Sequence, residues 1–297
     1  MDRRPVDVVV ISDLHLGTYG CKAQEISNYL KSIAPQMLIL NGDIFDGWQF
    51  SKRYFPVAHM QVIKEIMKLM SHGSRVIYIT GNHDEMLRRY SDLQLGNFQL
   101  TDKIVMEING KMTWIFHGDV LDNTTNGSAK LLAKMGSAGY GLLIQLNRSI
   151  NFCMKLIGRD KVSLSKSVMD GVNKAIVKIE QFEQTVADLA IQKKYDYVIC
   201  GHIHQPQQRT IETKEGSVIY LNSGDWVENM TSLEYELGEW KVYQYDEKAF
   251  LHKVKEKPEK NLPKLDVVTD EIAFFVHSLM QKTETASHLA AFSKPIL

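Results

Sequence analysis

The sequence predicts an α/β fold in which parallel and antiparallel strands form mixed sheets. The first third of the chain alternates short apolar runs with amphipathic segments in the order strand, helix, strand, helix, strand. This order is typical of a parallel sheet with right-handed crossovers. The later part adds strands joined by tight turns, which favour antiparallel pairing. The length of 297 residues suits one large domain or one domain with an appendage.

The first three strands are predicted over 6–12, 37–40 and 76–80. Each is a short apolar run of the kind that is buried on both faces of a sheet. Amphipathic helices are predicted between them, over 22–33 and 56–72. The first 80 residues therefore supply three neighbouring parallel strands.

The rest of the chain is predicted to contain a hairpin, a long helix and several further strands. The hairpin pairs 103–108 with 111–116 across Asn109-Gly110, a strong turn signal. The long helix carries apolar residues at helical spacing from Val168 to Leu189. The further strands are predicted at 197–200, 218–221, 232–237 and 240–245.

Five of the predicted strands end in side chains that bind metals. Ligands bind at the carboxyl ends of the strands in α/β sheets, so we expect these side chains to lie close together. The candidate ligands are Asp13, His15, Asp43, Asn82, His117, His202 and His204.

This mixture of ligands indicates the kind of metal centre. Carboxylate, carboxamide and imidazole suit divalent cations such as Mn²⁺, Fe²⁺, Co²⁺ or Zn²⁺, of which Mn²⁺ is our first expectation. Seven ligands exceed what one ion needs when a position stays open for water. Two ions about 3.5–4 Å apart that share one carboxylate fit the count better. No thiolate is among the ligands, which argues against a structural zinc site.

Each ligand also has a simpler interpretation. An Asp-x-His after a strand is usually a turn with a solvated histidine, and Gly-Asp after a strand is commoner still. Gly201-His202-x-His204 and Gly81-Asn82-His83-Asp84 are more specific signals. The simpler interpretation would have to hold at all five strand ends, so the sequence favours the metal centre.

The order of these motifs resembles that of the calcineurin-like metallophosphoesterases. The resemblance covers residues 6–246 and rests on Asp13-x-His15, Gly42-Asp43, Gly81-Asn82-His83-Asp84, His117 and Gly201-His202-x-His204. It implies a four-layer α/β/β/α sandwich with a two-metal centre. The ligands implied for one ion are Asp13, His15, Asp43 and His204. Those implied for the other are Asp43, Asn82, His117 and His202, with Asp43 as the bridge.

The same resemblance implies catalytic roles for two residues after the third strand. His83 would lie near the scissile phosphate, where it neutralises charge or protonates the leaving group, and Asp84 would orient it. The expected activity is that of a metal-dependent hydrolase of phosphoric esters or anhydrides.

Two further features resemble the branch of the family that cleaves UDP-2,3-diacylglucosamine to UMP and lipid X in lipid A synthesis. One is Asp43-Ile-Phe-Asp46-x-Trp48. The other is an apolar, glycine-interrupted and net-positive helical insert at 123–169, which in that branch forms a lid over the acyl chains. The best-known members carry Gly-Asn-Arg-Asp-Phe where this chain has Gly81-Asn-His-Asp-Glu85. It therefore stays open whether the chain is a relative of that enzyme with another substrate.

The candidate substrate contacts, to phosphate or uridine, are Trp48, Arg53, Arg88 and Arg148. The simpler interpretations are a packing role for Trp48, ordinary surface charge for the arginines, and an insert that closes on itself. Three functional alternatives also stay open. They are a phosphatase or phosphodiesterase for a soluble or protein substrate, a nuclease of the same superfamily, and a scaffold that has lost its metals.

Composition bears on partners and location. The formal net charge is zero and no aromatic-basic stripe is present, so we expect a phosphorylated small-molecule or lipid substrate and no nucleic acid. Three cysteines without paired spacing and the lack of a signal peptide predict a cytoplasmic protein, which the insert could bring to the inner-membrane surface. We expect a metallophosphoesterase domain over 1–250, followed by a linker and C-terminal extension over 251–297.

Overall fold

The structure is a computed structural model of the chain. It describes residues 3–48, 54–124, 166–248 and 250. Residues 125–165 of the predicted insert, the predicted extension at 251–297, and the candidate contacts Arg53 and Arg148 lie outside the described residues.

Within the described residues, twelve strands form two sheets and three α-helices cover them. The helices are α1 (Ala23–Ser32), α2 (Val57–Ser71) and α3 (Lys166–Gln192). The first six strands are β1 (Arg4–Ile11), β2 (Ile33–Asn41), β3 (Arg75–Ile79), β4 (Gln94–Leu95), β5 (Phe98–Thr101) and β6 (Lys103–Ile108). The others are β7 (Lys111–Phe116), β8 (Tyr197–Cys200), β9 (Gln207–Thr213), β10 (Gly216–Asn222), β11 (Thr231–Glu236) and β12 (Glu239–Gln244).

Both sheets are mixed, as the sequence predicts. The seven-stranded sheet has the order β12-β11-β1-β2-β3-β5-β4, with β1, β2, β3 and β5 parallel and β11 antiparallel to β1. The five-stranded sheet has the order β6-β7-β8-β10-β9, with β8 parallel to both of its neighbours. The parallel strands at the centre of each sheet place their carboxyl ends side by side.

Three apolar clusters separate four layers, which confirms the α/β/β/α sandwich. Alternate residues of a strand point to opposite faces, so β1 contributes to two of these clusters. Val9 packs with α1 and α2 on the outer face of the large sheet. Val10 packs with Ile199 and Leu221 between the two sheets. The third cluster joins Val186 of α3 to the outer face of the small sheet.

The structure departs from the sequence-based elements in several places. The short strands β4 and β5 were not predicted. Strand β9 was not predicted because it is a polar edge strand whose side chains mostly face solvent. Strand β2 begins at Ile33 rather than 37 and contains Pro35, which is tolerated because β3 pairs with β2 only from Met37 onward. Helix α3 begins at Lys166, so the last residues of the predicted insert are its first turn.

No helix among the described residues has the length and apolar content needed to cross a lipid bilayer.

The β11–β12 hairpin offers a matched test of the core between the sheets. Leu233 is fully buried in that core, whereas Leu237 is 94% exposed at the turn of the same hairpin. We expect Leu233→Ala to lower the free energy of unfolding by about 2–5 kcal/mol, and Leu237→Ala by less than about 0.5 kcal/mol. Urea unfolding followed by circular dichroism measures both. Equal losses would show that the cluster between the sheets is not a close-packed core.

Candidate metal centre

The candidate ligands come from five strand ends, three in the large sheet and two in the small one. Asp13 and His15 follow β1, Asp43 follows β2, and Asn82 follows β3. In the small sheet, His117 follows β7, and both His202 and His204 follow β8.

The structure brings the six predicted histidine and aspartate ligands together. Their ligand atoms lie within 4.8 Å of one another in overlapping groups, and no exposed acidic cluster is involved. The groups are Asp13, His15 and His204; His15, Asp43 and His83; and Asp43, His117 and His202. Asp43 and His15 each belong to two of them. The Asp43 carboxylate joins His15 and His83 of the large sheet to His117 and His202 of the small one. Its Oδ2 atom is 3.3 Å from Nε2 of His117.

Backbone hydrogen bonds lock neighbouring strand ends to one another. The backbone N–H of Asp13 donates to the carbonyl of Gly42 at 3.0 Å, and that of His15 to the carbonyl of Asp43 at 3.0 Å. In the small sheet, the N–H of Gly201 donates to the carbonyl of His117 at 2.9 Å. The loops that carry the ligands are therefore held in a fixed register beyond the ends of the strands.

The backbone at most of the ligands lies in the left-handed region. This region is unfavourable for residues with a Cβ atom, and where it occurs it is often associated with functional sites. The ligands with positive φ are Asp13 (54°), His15 (50°), Asp43 (53°), His202 (68°) and His204 (55°). The reversal of the chain at each strand end turns these side chains back over the sheet edge.

Two glycines next to ligands leave room that a side chain would fill. A Cβ atom at Gly81 would lie 2.2 Å from Oδ1 of Asp43. One at Gly42, where φ is +81°, would lie 2.3 Å from Nδ1 of His117. The sequence Gly-Asp and Gly-Asn therefore has a steric cause, since the ligands from adjacent strands approach closely only over glycine.

A backbone carbonyl orients His117. Its Nδ1 atom donates to the carbonyl oxygen of Asn41 at 2.8 Å, which leaves Nε2 as the atom directed at Asp43. A second hydrogen bond of this kind fixes the ring and the tautomer of a metal-binding histidine. Sequence reasoning did not identify this role of Asn41, because a backbone carbonyl leaves no signal in the residue type.

The electrostatics of the site fit a cation. Burial alone would lower the pKa of His117, but the carboxylates of Asp43 and Asp13 raise it to about 10. Burial would also lower the pKa of His204, and Asp13 raises it to about 9. Buried carboxylates that favour a proton on each neighbouring imidazole favour a divalent cation for the same reason.

Several buried ligand atoms of the described residues also have no hydrogen-bond partner. They are Asp13 Oδ1, His15 Nε2, Asn82 Oδ1 and His117 Nε2. Asp13 Oδ1 and His117 Nε2 do lie 3.1 and 3.3 Å from His204 Nε2 and Asp43 Oδ2, but without well-aligned hydrogen bonds. Buried polar atoms normally form such bonds, so ligand atoms that face one another without them are what a bound metal would satisfy. The residues present fit a divalent metal centre.

Asp46 lies against the ring of His83, the predicted catalytic residue. Its Oδ2 atom is 3.0 Å from Nδ1 of His83 and 3.3 Å from Nδ1 of His15. Burial would lower the pKa of His83, but the hydrogen bond that its Nδ1–H donates to the Asp46 carboxylate and the charge of Asp43 hold it above its usual value. Asp46 was part of the motif quoted from the sequence, although no role at the site was assigned to it.

Asp84, which the resemblance implies as the residue that orients His83, makes its described contacts with the surrounding loops and with Tyr78. Its carboxylate accepts hydrogen bonds from the backbone N–H of Gly81 at 2.6 Å and of Ile44 at 3.0 Å, and from the hydroxyl of Tyr78. Asp84 is fully buried, and burial followed by the charge of Asp43 raises its pKa to about 6. The turn after β3 directs this carboxylate back into the loop, where it ties the ends of β2 and β3 together.

Two of the candidate substrate contacts are described. Trp48 is 45% exposed and packs on His83, with ring centroids 4.2 Å apart. The guanidinium of Arg88 forms an ion pair with Asp119, just after His117, and its Nε atom donates to Thr80. Both residues therefore lie near the cluster. The guanidinium of Arg88 already binds Asp119 and Thr80.

The fold and the site together define a metal-dependent phosphoesterase. The sequence model of the calcineurin-like phosphoesterases matches residues 6–206, more than half of the chain. The chain belongs to this family and is a hydrolase with a divalent metal centre.

Curated relatives carry a more specific name. One is the UDP-2,3-diacylglucosamine hydrolase of Aliivibrio fischeri strain MJ11. It is 25% identical over 250 residues, which cover 82% of this chain and 99% of the relative. Another is the enzyme of the same name from Aeromonas salmonicida strain A449, 26% identical over 247 residues, which cover 80% of this chain and 93% of the relative.

Solved structures with partial similarity include a novel archaeal phosphodiesterase, at 15% identity and a TM-score of 0.37. The match covers 80% of this chain and 98% of the phosphodiesterase chain. A dimetal phosphatase from Danio rerio has 13% identity and a TM-score of 0.34, and the match covers 82% of this chain and 100% of that chain.

The close approach at Gly81 can be tested by substitution. We expect Gly81→Ala to lower metal affinity by roughly 10–100-fold, because the added methyl group displaces the Asp43 carboxylate. Titration of the metal-free protein with Mn²⁺, followed by calorimetry, measures the metal affinity.

Gly73→Ala is the control. The φ of Gly73 is +99°, so the substitution is strained, but no atom lies within 4 Å of the added Cβ. It should lower stability by roughly 1–2 kcal/mol and leave metal affinity unchanged.

Proposed function

We propose that the protein is a two-metal hydrolase that cleaves UDP-2,3-diacylglucosamine, or a similar nucleotide-linked lipid, to UMP and a lipid phosphate. The observation that carries the proposal is the cluster of seven histidine and aspartate side chains from both sheets, in which the Asp43 carboxylate lies close to histidines of both sheets. The substrate is supported by the curated relatives of that name, which match this chain over nearly their whole length.

The proposed ligand sets divide the cluster between two ions. Asp13, His15, Asp43 and His204 would hold one ion, and Asp43, Asn82, His117 and His202 the other. Support comes from the composition of the two outer groups, which share members with these sets. When bound, the ions supply Lewis acidity that polarises a phosphoryl oxygen and lowers the pKa of a water molecule.

The proposed role of His83 is to bind the phosphoryl group and to donate a proton to the leaving oxygen. Asp46 holds its Nδ1 atom, so Nε2 is the atom available for the substrate, and it lies 3.9 Å from Asp43. The contact of Nδ1 with the Asp46 carboxylate favours the protonated form that such a donor needs. Asp84 acts on this step only indirectly, by fixing the loop that carries His83.

Trp48 and Arg88 are proposed to contact the substrate beside His83, and Arg53 and Arg148 to contact its phosphates. The proposed lid over the acyl chains is the insert at 123–169, which begins a few residues after the ion pair of Arg88 with Asp119. We further propose that the enzyme acts in the cytoplasm at the inner-membrane surface. This location follows from a substrate with acyl chains and not from any spanning helix.

A second candidate is a phosphatase or phosphodiesterase for a soluble or protein substrate. The observation that favours it is His83 followed by Asp84 and Glu85, where the best-known diacylglucosamine hydrolases carry arginine and phenylalanine on either side of the aspartate. A histidine at this position suits general phosphoesterase chemistry as well as a lipid substrate.

The assignment of Asp43 as the bridging ligand predicts the metal content of variants. We expect Asp43→Ala to lose metal from both positions and to abolish hydrolysis, because its carboxylate is the one shared by both sets. Asn82→Ala should lose mainly one ion, since it belongs to one set. Elemental analysis after gel filtration measures ions per chain. Two tightly bound ions in Asp43→Ala would show that this carboxylate is not the bridge.

The substrate is tested directly by product release. We expect the protein loaded with Mn²⁺ to release UMP from UDP-2,3-diacylglucosamine, and a chelator to stop the reaction until Mn²⁺ is restored. His117→Ala is the control for contaminating activity, because it removes a buried ligand. Chromatography of the products measures UMP. Release no greater than in His117→Ala, with retained activity on bis(p-nitrophenyl) phosphate, would favour the second candidate.

A further inference from the structure

A pair of tyrosines lies beside the metal cluster without a role in the function proposed above. Tyr19 is 82% exposed and follows β1, and Tyr54 lies just before α2. Their ring centroids are 3.8 Å apart and the ring planes are inclined by 34°. One face of Tyr19 packs on Tyr54, and most of the ring remains open to solvent.

The pair is close to the metal cluster because the chain turns back after His15. Both the backbone N–H and the hydroxyl of Thr18 donate to the carbonyl of His15, at 3.2 and 2.9 Å. Such a turn keeps the Cα atoms of residues 15 and 18 within about 7 Å, so the Cα of Tyr19 is at most about 11 Å from that of His15.

A buried histidine supports the Tyr54 ring of the pair. The ring of Tyr54 packs edge-on against His59, with centroids 5.9 Å apart. His59 is buried, and its Nδ1 atom accepts a hydrogen bond of 2.9 Å from the backbone N–H of Gly17. The loop that carries His15 and Tyr19 is thus joined to α2, so little side-chain freedom is lost when a ligand stacks on the exposed ring.

We propose that the Tyr19–Tyr54 pair is a stacking subsite for the nucleobase of the substrate. This proposal rests on the function proposed above, in which the phosphates of a nucleotide-linked substrate lie on the metal cluster. An exposed, pre-oriented aromatic face beside a phosphate site is what a planar base requires, and an acyl chain requires no such face. Trp48 instead packs on His83, the residue proposed above to bind the scissile phosphoryl group.

The test compares two probes that differ only in the base. Calorimetry on the protein loaded with Mn²⁺ measures the affinity for UMP and for ribose 5-phosphate. We expect the wild-type protein to bind UMP at least about tenfold more tightly, the difference typical of a base stacked on an aromatic ring. Tyr19→Phe keeps the ring and should keep this ratio. Tyr19→Ala should bring the ratio close to one by weakening UMP alone.

Leu237→Ala is the matched control, since it removes an exposed apolar side chain at the β11–β12 turn and should leave the ratio unchanged. Thermal unfolding of each variant shows that it is folded. Equal binding of the two probes by the wild-type protein, or an unchanged ratio in Tyr19→Ala, would overturn the proposal. Release of UMP without a preference for the base would refute the subsite and leave the proposed function. A preference for the base without release of UMP from UDP-2,3-diacylglucosamine would refute that substrate and leave the subsite.

Discussion

The structure depends on the burial of the Asp43 carboxylate between the carboxyl ends of the two sheets. Its Oδ1 atom accepts a hydrogen bond of 2.8 Å from the backbone N–H of His83, and its Oδ2 atom faces His117 across the layer boundary. Burial alone would raise the pKa of this carboxyl group, but the neighbouring histidines, His117 above all, lower it well below its usual range. A permanently ionised group in the interior needs cationic neighbours, and the surrounding residues supply or bind them.

The same requirement explains how the groups that hold the histidines of the cluster are arranged. Two histidines that face the cluster, His15 and His83, are held at Nδ1 by the single carboxylate of Asp46. His117 is held at Nδ1 by the backbone of β2. In each ring Nδ1 is held by Asp46 or by the β2 backbone, and Nε2 faces the metal cluster. The rings therefore need no rearrangement to present Nε2 to an ion or a phosphate. A site whose donors are oriented beforehand needs little reorganisation when an ion or a phosphate binds.

The fold, and the clustering of six of the candidate ligands, could be predicted because both follow from local signals. Each ligand follows an apolar run directly, and the parallel order of β1, β2 and β3 then places the strand ends together. The contact of Asp46 with the ring of His83 could not be predicted in this way. Asp84 is adjacent to His83 in sequence, but which carboxylate meets the ring is decided by the path of two separate loops. Strand β9 was missed for a related reason, since its pairing with β10 and not its apolar content makes it a strand.

At the five ligand residues whose backbone is in the left-handed conformation, the requirements of function and of stability conflict. A residue with a Cβ atom in that conformation costs on the order of 1 kcal/mol or more, and glycine would relieve the cost at each of the five positions. Each relieving substitution also deletes a donor from the cluster. Selection for thermostability alone would therefore enrich variants that fold better and hydrolyse nothing, so a stabilised form must be sought elsewhere in the sandwich.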